Sequence, residues 1–151
     1  MLFRLAYYST NLIKRPTNPA QSELRKLVLS AGTKNRDRGI TGGLMFNRNY
    51  FAQVLEGDQT SVSDLFCRIA KDTRHRSIVI VHASIVDGRM FEHWSMGLAE
   101  KTETAEKLNS KFGLDNGFDP TKMTASELSN YVFEMISLED HLITVPISTP
   151  D

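Results

Sequence analysis

The tightest constraint on this chain is the order in which two hydrophobic periods alternate along its N-terminal two thirds. Residues 2–9 (LFRLAYYS) alternate, with Phe3, Leu5 and Tyr7 on one face and Leu2, Ala6 and Tyr8 on the other, where Arg4 is the odd member. That is the period of a strand. From about 20 to 33 the period changes: Leu24, Leu27, Val28 and Ala31 recur at i, i+3, i+4, i+7, the stripe of a helix. GITGGLMFN (39–47) and YFAQVLEG (50–57) return to strand and form a hairpin around Asn47-Arg48-Asn49. Asp58 caps a second helix running to about 72, with Val62, Leu65, Phe66 and Ile69 as its stripe. SIVIVHASIV (77–86) is the most β-branched run and reads as a central strand. A turn at Asp87-Gly88 leads to a last strand near 92–98.

The order βαββαββ puts both helices on one face of a mixed sheet, a ferredoxin-like α+β fold with an added strand. Two further helices are predicted, near 102–112 and 125–138, and they cover the other face. The second carries Leu128, Tyr131, Val132 and Met135 and begins with a capping box, Thr124 with Glu127. The expected organisation is a core over 1–98, capping helices over 99–143 and a frayed tail over 144–151.

Composition removes several functions. The 151 residues hold 18 Lys+Arg and 18 Asp+Glu, so no net field draws the chain to nucleic acid or an anionic membrane. One cysteine excludes an internal disulfide and a multi-thiolate metal site, and four scattered histidines suggest no metal. Arg4 interrupts the only apolar run at the N-terminus, and no stretch has the length of a membrane span. A cytoplasmic location is expected. Cys67 reads as a small buried residue of the second helix.

Against this background FAQVLEGD (51–58) is odd, because Gln53 sits between Phe51 and Leu55 on one strand face. An unpaired buried amide costs about 1–3 kcal/mol, so Gln53 needs a partner. Tyr7 lies mid-strand on the face of Phe3 and Leu5, and Asn35 falls where the first helix ends. Arg68 and Asp72 are spaced i, i+4, with Arg74 and His75 after them, and Trp94 and Met96 alternate on the last strand, which places them on one face. If Tyr7, Gln53 and Met96 share the helix-facing side, a few polar groups converge in an apolar pocket able to hold a planar heterocycle. The spacing alone does not name the ligand.

Five segments taken together carry a resemblance: RLAYYS around Tyr7, NRDRGITGGL from Asn35, FAQVLEG around Gln53, RIAKDTRH from Arg68 and MFEHWSMG with Trp94 and Met96. In that order and spacing, from Leu2 to about Leu98, the chain resembles the BLUF domains, flavin-binding sensors of blue light, and in particular their short stand-alone members. The resemblance implies FAD as cofactor, with its ring between the two helices. It implies that Gln53 bridges Tyr7 and the flavin, that Asn35 contacts the ring edge, that Arg68, Asp72 and His75 lie near the far edge and tail, and that Ile40 joins Leu5, Phe46, Phe51 and Leu55 as apolar wall. In such domains light moves an electron and a proton from the tyrosine, and the glutamine is left rearranged. Met96 and Trp94 then pass the change on. The cycle consumes nothing, which implies a sensor and not an enzyme. With no effector domain in the chain, the resemblance also implies a homodimer or higher oligomer and a separate response protein, with Tyr131, Phe133 and Leu138 as contact candidates. Two positions depart from the family's habit: Lys34 where an Asn or His is usual, and Ala31 where a Ser is common. A light-independent flavin redox protein and a plain ferredoxin-like interaction module are the alternative readings.

Overall fold

The alternation is realised as a six-stranded mixed sheet in a computed structural model that describes residues 1–13, 18–100, 111–112, 118–137 and 141–146. The elements in chain order are β1 (Leu2–Asn11), α1 (Asn18–Asp37), β2 (Thr41–Phe46), β3 (Tyr50–Asp58), α2 (Gln59–Ala70), β4 (His75–Ile85), β5 (Trp94–Glu100), a 3-10 turn (Pro120–Lys122), α3 (Ala125–Ser137) and β6 (His141–Pro146). The sheet order is β4-β1-β3-β2-β5-β6. Its first four strands are antiparallel, β5 runs parallel to β2, and β6 closes antiparallel on β5.

Strand parity builds two cores, one on each face. Phe3, Leu5 and Tyr7 of β1, Leu44 and Phe46 of β2, and Phe51 and Leu55 of β3 pack beneath Val28 of α1 and Val62 of α2. The intervening residues Ala6, Met45, Ala52 and Val54 pack on the opposite side against Leu128, Tyr131, Val132, Met135 and Ile136 of α3, together with Phe91 and Phe118. The expected covering of both faces is therefore present, α1 and α2 on one and α3 on the other.

Helix ends follow their local chemistry. Gly39, at φ +69°, closes α1. The Ile40 N–H donates to the Asn35 carbonyl (2.8 Å) and the Gly39 N–H to that of Arg36 (3.2 Å), the paired bonds of a Schellman cap. The Asp58 carboxylate accepts from the Thr60 and Ser61 amides at the start of α2. The capping box of α3 forms in both directions: the Thr124 amide donates to Glu127 (2.9 Å) and the Glu127 amide to the Thr124 hydroxyl (3.1 Å).

Three expectations are corrected. The run 77–86 is not central: β4 is an edge strand, and Val79, Ile80 and Ile85 are more than two-fifths exposed. Residues 144–146 of the expected tail belong to β6, paired so that Leu98 faces Ile143. Cys67 is exposed on α2. The helix expected near 102–112 lies outside the described residues apart from its last two.

Gly42 shows how tightly β2 and β3 approach. A Cβ there would lie 2.1 Å from the Val54 carbonyl oxygen, a backbone atom that no rotamer change can move aside. Gly42→Ala is expected to destabilise the fold by about 1–3 kcal/mol. Urea unfolding checks this, and a change under about 0.5 kcal/mol would show that the strands part without strain.

Candidate functional site

Tyr7 and Gln53 are direct cross-strand partners on β1 and β3, near the middle of the sheet. Their side chains leave the same face and meet: the Tyr7 hydroxyl donates to Gln53 Oε1. The amide Nε2 then points to the Met96 sulfur at 3.8 Å. Thioether sulfur is a weak acceptor, so the donor half of a buried amide has no strong partner among the described residues. Gln53 is 6% exposed and Tyr7 2%. Burial, with a further push from the charge of Asp72, raises the Tyr7 pKa well above that of a free tyrosine, and the phenol keeps its proton.

These groups open into a cavity of about 280 Å³ between α1 and α2. Leu27, Val28 and Ala31 line it from α1, Leu65 and Ile69 from α2, and Leu44, Phe51 and Met96 from the sheet. Asn35, 2% exposed, enters from the last turn of α1, where the Schellman cap fixes its backbone. Arg68, Asp72, Arg74 and His75 complete the α2 side. The volume is at the lower end of small-molecule pockets and suits a flat ring system whose tail continues outward. The apolar walls, the underused amide donor of Gln53 and the buried Asn35 amide fit a heteroaromatic ring with carbonyl edges.

His75 is held at both nitrogens. Nε2 lies 2.7 Å from the Ile69 carbonyl, which can only accept, so Nε2 carries the proton. In the neutral ring Nδ1, 2.7 Å from the Ser9 hydroxyl, is then the acceptor. The ring packs edge-on to Phe51 at 6.2 Å and tilted to Tyr7 at 6.3 Å, which closes the cavity at its β4 end.

The structure thus gathers Tyr7, Asn35, Gln53, Arg68, Asp72, His75 and Met96 around one space, and it separates two others. Ile40, fully buried, does not line the cavity; it is the apolar anchor just past the Gly39 cap and packs against Gly57. Leu5, Phe46 and Leu55 likewise lie in the core beneath the cavity and do not line it. Trp94 is not on the face of Met96. Its ring packs on the far side of the sheet, 5.9 Å from Phe133 and 6.5 Å from Phe91. The cause is a bulge: Trp94 pairs with Pro146 and Met96 with the adjacent Val145, two steps on one strand against one on the other, and this breaks the parity of two. Asp72, spaced to meet Arg68, binds Arg74 instead, accepting from its Nε (2.8 Å) and backbone N–H (2.9 Å). The Arg74 hydrogen bonds hold the Asp72 carboxyl below the usual carboxylate range. Of the contact candidates, Tyr131 is buried, Phe133 is half-buried against Trp94 and Phe91, and Leu138 lies outside the described residues.

Sequence reasoning overlooked Glu56. This carboxylate, 0% exposed, takes a salt bridge from Arg4 (2.8 Å) and accepts from the Met90 N–H (2.9 Å) and the Phe91 N–H (2.6 Å). It ties β1 and β3 to the segment that leads into β5. A signal was present: Arg4, odd on its own face, stands directly opposite Glu56 in the β1–β3 register.

Comparison with known proteins agrees with this geometry. The sequence profile of BLUF, sensors of blue-light using FAD, matches residues 2–97. Photoactivated adenylate cyclase subunit beta of Euglena gracilis is 33% identical over 95 residues, 63% of this chain but 11% of that protein. The blue light- and temperature-regulated antirepressor BluF of Escherichia coli is 29% identical over 123 residues, 72% of this chain and 30% of its own length. The chain therefore spans a small part of these curated relatives. Among solved structures, the photo-activated state of BlsA superimposes with a TM-score of 0.80 at 30% identity, covering 93% of this chain and 98% of that one. With the Tyr7–Gln53 pair at the wall of an apolar cavity and the match running through β1–β4 and into β5, the chain belongs to the BLUF family, the sensors of blue light that use FAD.

Proposed function

We propose that this chain is a photoreceptor that passes a light-driven change at Tyr7 and Gln53 through β5 to a separate response protein. The observation that carries this is the buried hydrogen bond from Tyr7 to Gln53 Oε1, with the opposite end of the same amide directed at Met96. FAD, held by the residues that line this cavity, would supply the absorption of blue light and an electron acceptor. Tyr7 offers one proton and an oxidisable ring. Asn35 holds the ring edge, and Gln53 can reverse its donor and acceptor ends by rotation without any backbone movement. Reversal exchanges the group presented to Met96, and Met96 sits on β5 beside the Trp94 bulge. Local rearrangement of hydrogen bonds then biases a strand that both α3 and β6 contact, the pattern of a ligand-type switch acting on a second element.

The division of labour we propose is a flavin-binding core over 1–98 and an output region beyond it. The curated relatives favour output through other proteins or modules, since one is named as an adenylate cyclase and another as an antirepressor. For this chain we propose a homodimer or higher oligomer in the cytoplasm, and no catalysis of its own. No described helix is long and apolar enough to cross a membrane.

Absorption spectra of the purified protein before and after blue light test the reading. A flavin spectrum with a reversible red shift is expected, whereas a colourless protein, or a flavin protein without the shift, overturns it. Light scattering that reports a monomer in dark and light at all working concentrations overturns the oligomer. Trp94→Phe acts on the face away from the cavity, so it is expected to keep the shift and to alter only its decay or its transmission. Loss of the shift itself in this variant would place Trp94 in the photochemistry.

A further inference from the structure

The Tyr7–Gln53 chemistry accounts for the floor of the cavity but leaves its rim unexplained. Lys34 in the last turn of α1, Arg38 just past its end and Arg68 in the last turn of α2 all line the cavity, and all three are exposed. The acidic group beside them, Asp72, is occupied by Arg74. Among the described residues no carboxylate lies within ion-pair distance of Lys34, Arg38 or Arg68. Three cations thus surround the mouth of a mostly apolar cavity with no paired anion among the described residues.

A simpler account is that they answer the helix dipoles, since both helices turn their C-terminal ends to this rim. Each such end carries about half a negative charge. Two ends offset about one of the three positive charges and leave about two. The phosphate monoester of FMN carries about −1.5 to −2 near neutral pH, and the two singly ionised phosphates of FAD carry about −2, so charge and place both match phosphate just outside the ring cavity. Resting on the flavin-binding reading of that cavity, we propose that Lys34, Arg38 and Arg68 form a phosphate subsite through which this chain selects phosphorylated flavins over riboflavin.

The test titrates the flavin-stripped, full-length chain with riboflavin, FMN and FAD, following flavin fluorescence. An exposed ion pair contributes a factor of about two, so three predict binding of FMN and FAD about tenfold tighter than riboflavin at low salt. Raising salt to about 0.5 M should shrink that gap, because exposed charges are screened within a few ångströms there. The double variant Lys34→Gln/Arg38→Gln should bring the FMN-to-riboflavin affinity ratio towards one, while Arg48→Gln, an exposed cation of the β2–β3 turn, should leave the ratio as it is. Riboflavin binding by each variant shows that it has folded. Equal affinity for the three flavins in the native chain, or a gap that neither salt nor the double variant reduces, overturns the subsite. If riboflavin binds without disadvantage and still gives the reversible red shift, the subsite falls and the photoreceptor reading stands. Failure of all three flavins to bind overturns both.

Discussion

A Tyr7→Phe variant is expected to bind flavin in the dark and to show no reversible red shift after blue light. Phenylalanine keeps the ring that packs 5.4 Å from Phe66, so the cavity wall survives. The lost hydroxyl leaves Gln53 Oε1 without its donor, at a cost of about 1–3 kcal/mol, which a domain of this size tolerates. What disappears is chemical: phenylalanine has no transferable proton and no easily oxidised phenol. Gln53→Leu is expected to reach the same spectral outcome from the other side, since leucine has neither donor nor acceptor to exchange. Retention of the full shift in both variants, with flavin bound, would show that the Tyr7–Gln53 pair is not the photoactive element.

Glu56→Ala is expected to give the largest loss of stability of any single change on the far side of the sheet. The carboxylate is completely buried and satisfies the Arg4 guanidinium and the amides of Met90 and Phe91 together. Removing it leaves a partly buried cation with only the Gly88 carbonyl (3.1 Å) to donate to and two inward-facing N–H groups without acceptors, a loss of about 3–5 kcal/mol. For a chain of this length that is on the order of a 10 °C fall in Tm. Arg4→Met should cost less, because the two amides keep their acceptor and Arg4 is itself one-fifth exposed. Thermal unfolding of the two variants decides the matter. If both lie within about 1 kcal/mol of the native protein, the Glu56 knot contributes little to holding the segment before β5.

Most of the light-facing site was legible because parity survives in a regular ladder. Tyr7, Gln53, Leu5 and Leu55 alternate without interruption, and β1 and β3 pair without a slip, so residues assigned to one face stay on it. Trp94 was misplaced for the converse reason: one extra residue in the β5–β6 ladder reverses parity between it and Met96, and nothing in MFEHWSMG marks it. The edge position of β4 was illegible because β-branched content reports fit to a pleated surface, not the order of strands in a sheet. The HLITVP run of β6 carries a readable β-branched signal, yet the expected boundary at 143/144 divides it between the capping helices and the tail. Ile40 follows Gly39, and only the structure shows that this glycine closes α1 and turns Ile40 into the core.

The two cores have one more consequence. The cluster beneath α1 and α2 and the cluster beneath α3 draw on different side chains of the same strands and share no buried member. Substitutions in non-contacting clusters tend to add without coupling, so each side can drift through sequence space while the other stays fixed. The family profile stops at residue 97, whereas α3 begins at Ala125. The matched stretch thus holds the strand residues of both clusters but not α3, so side chains of α3 can be exchanged without touching the wall of the cavity, and the bulge between Trp94 and Met96 is the point where the two sides share one strand.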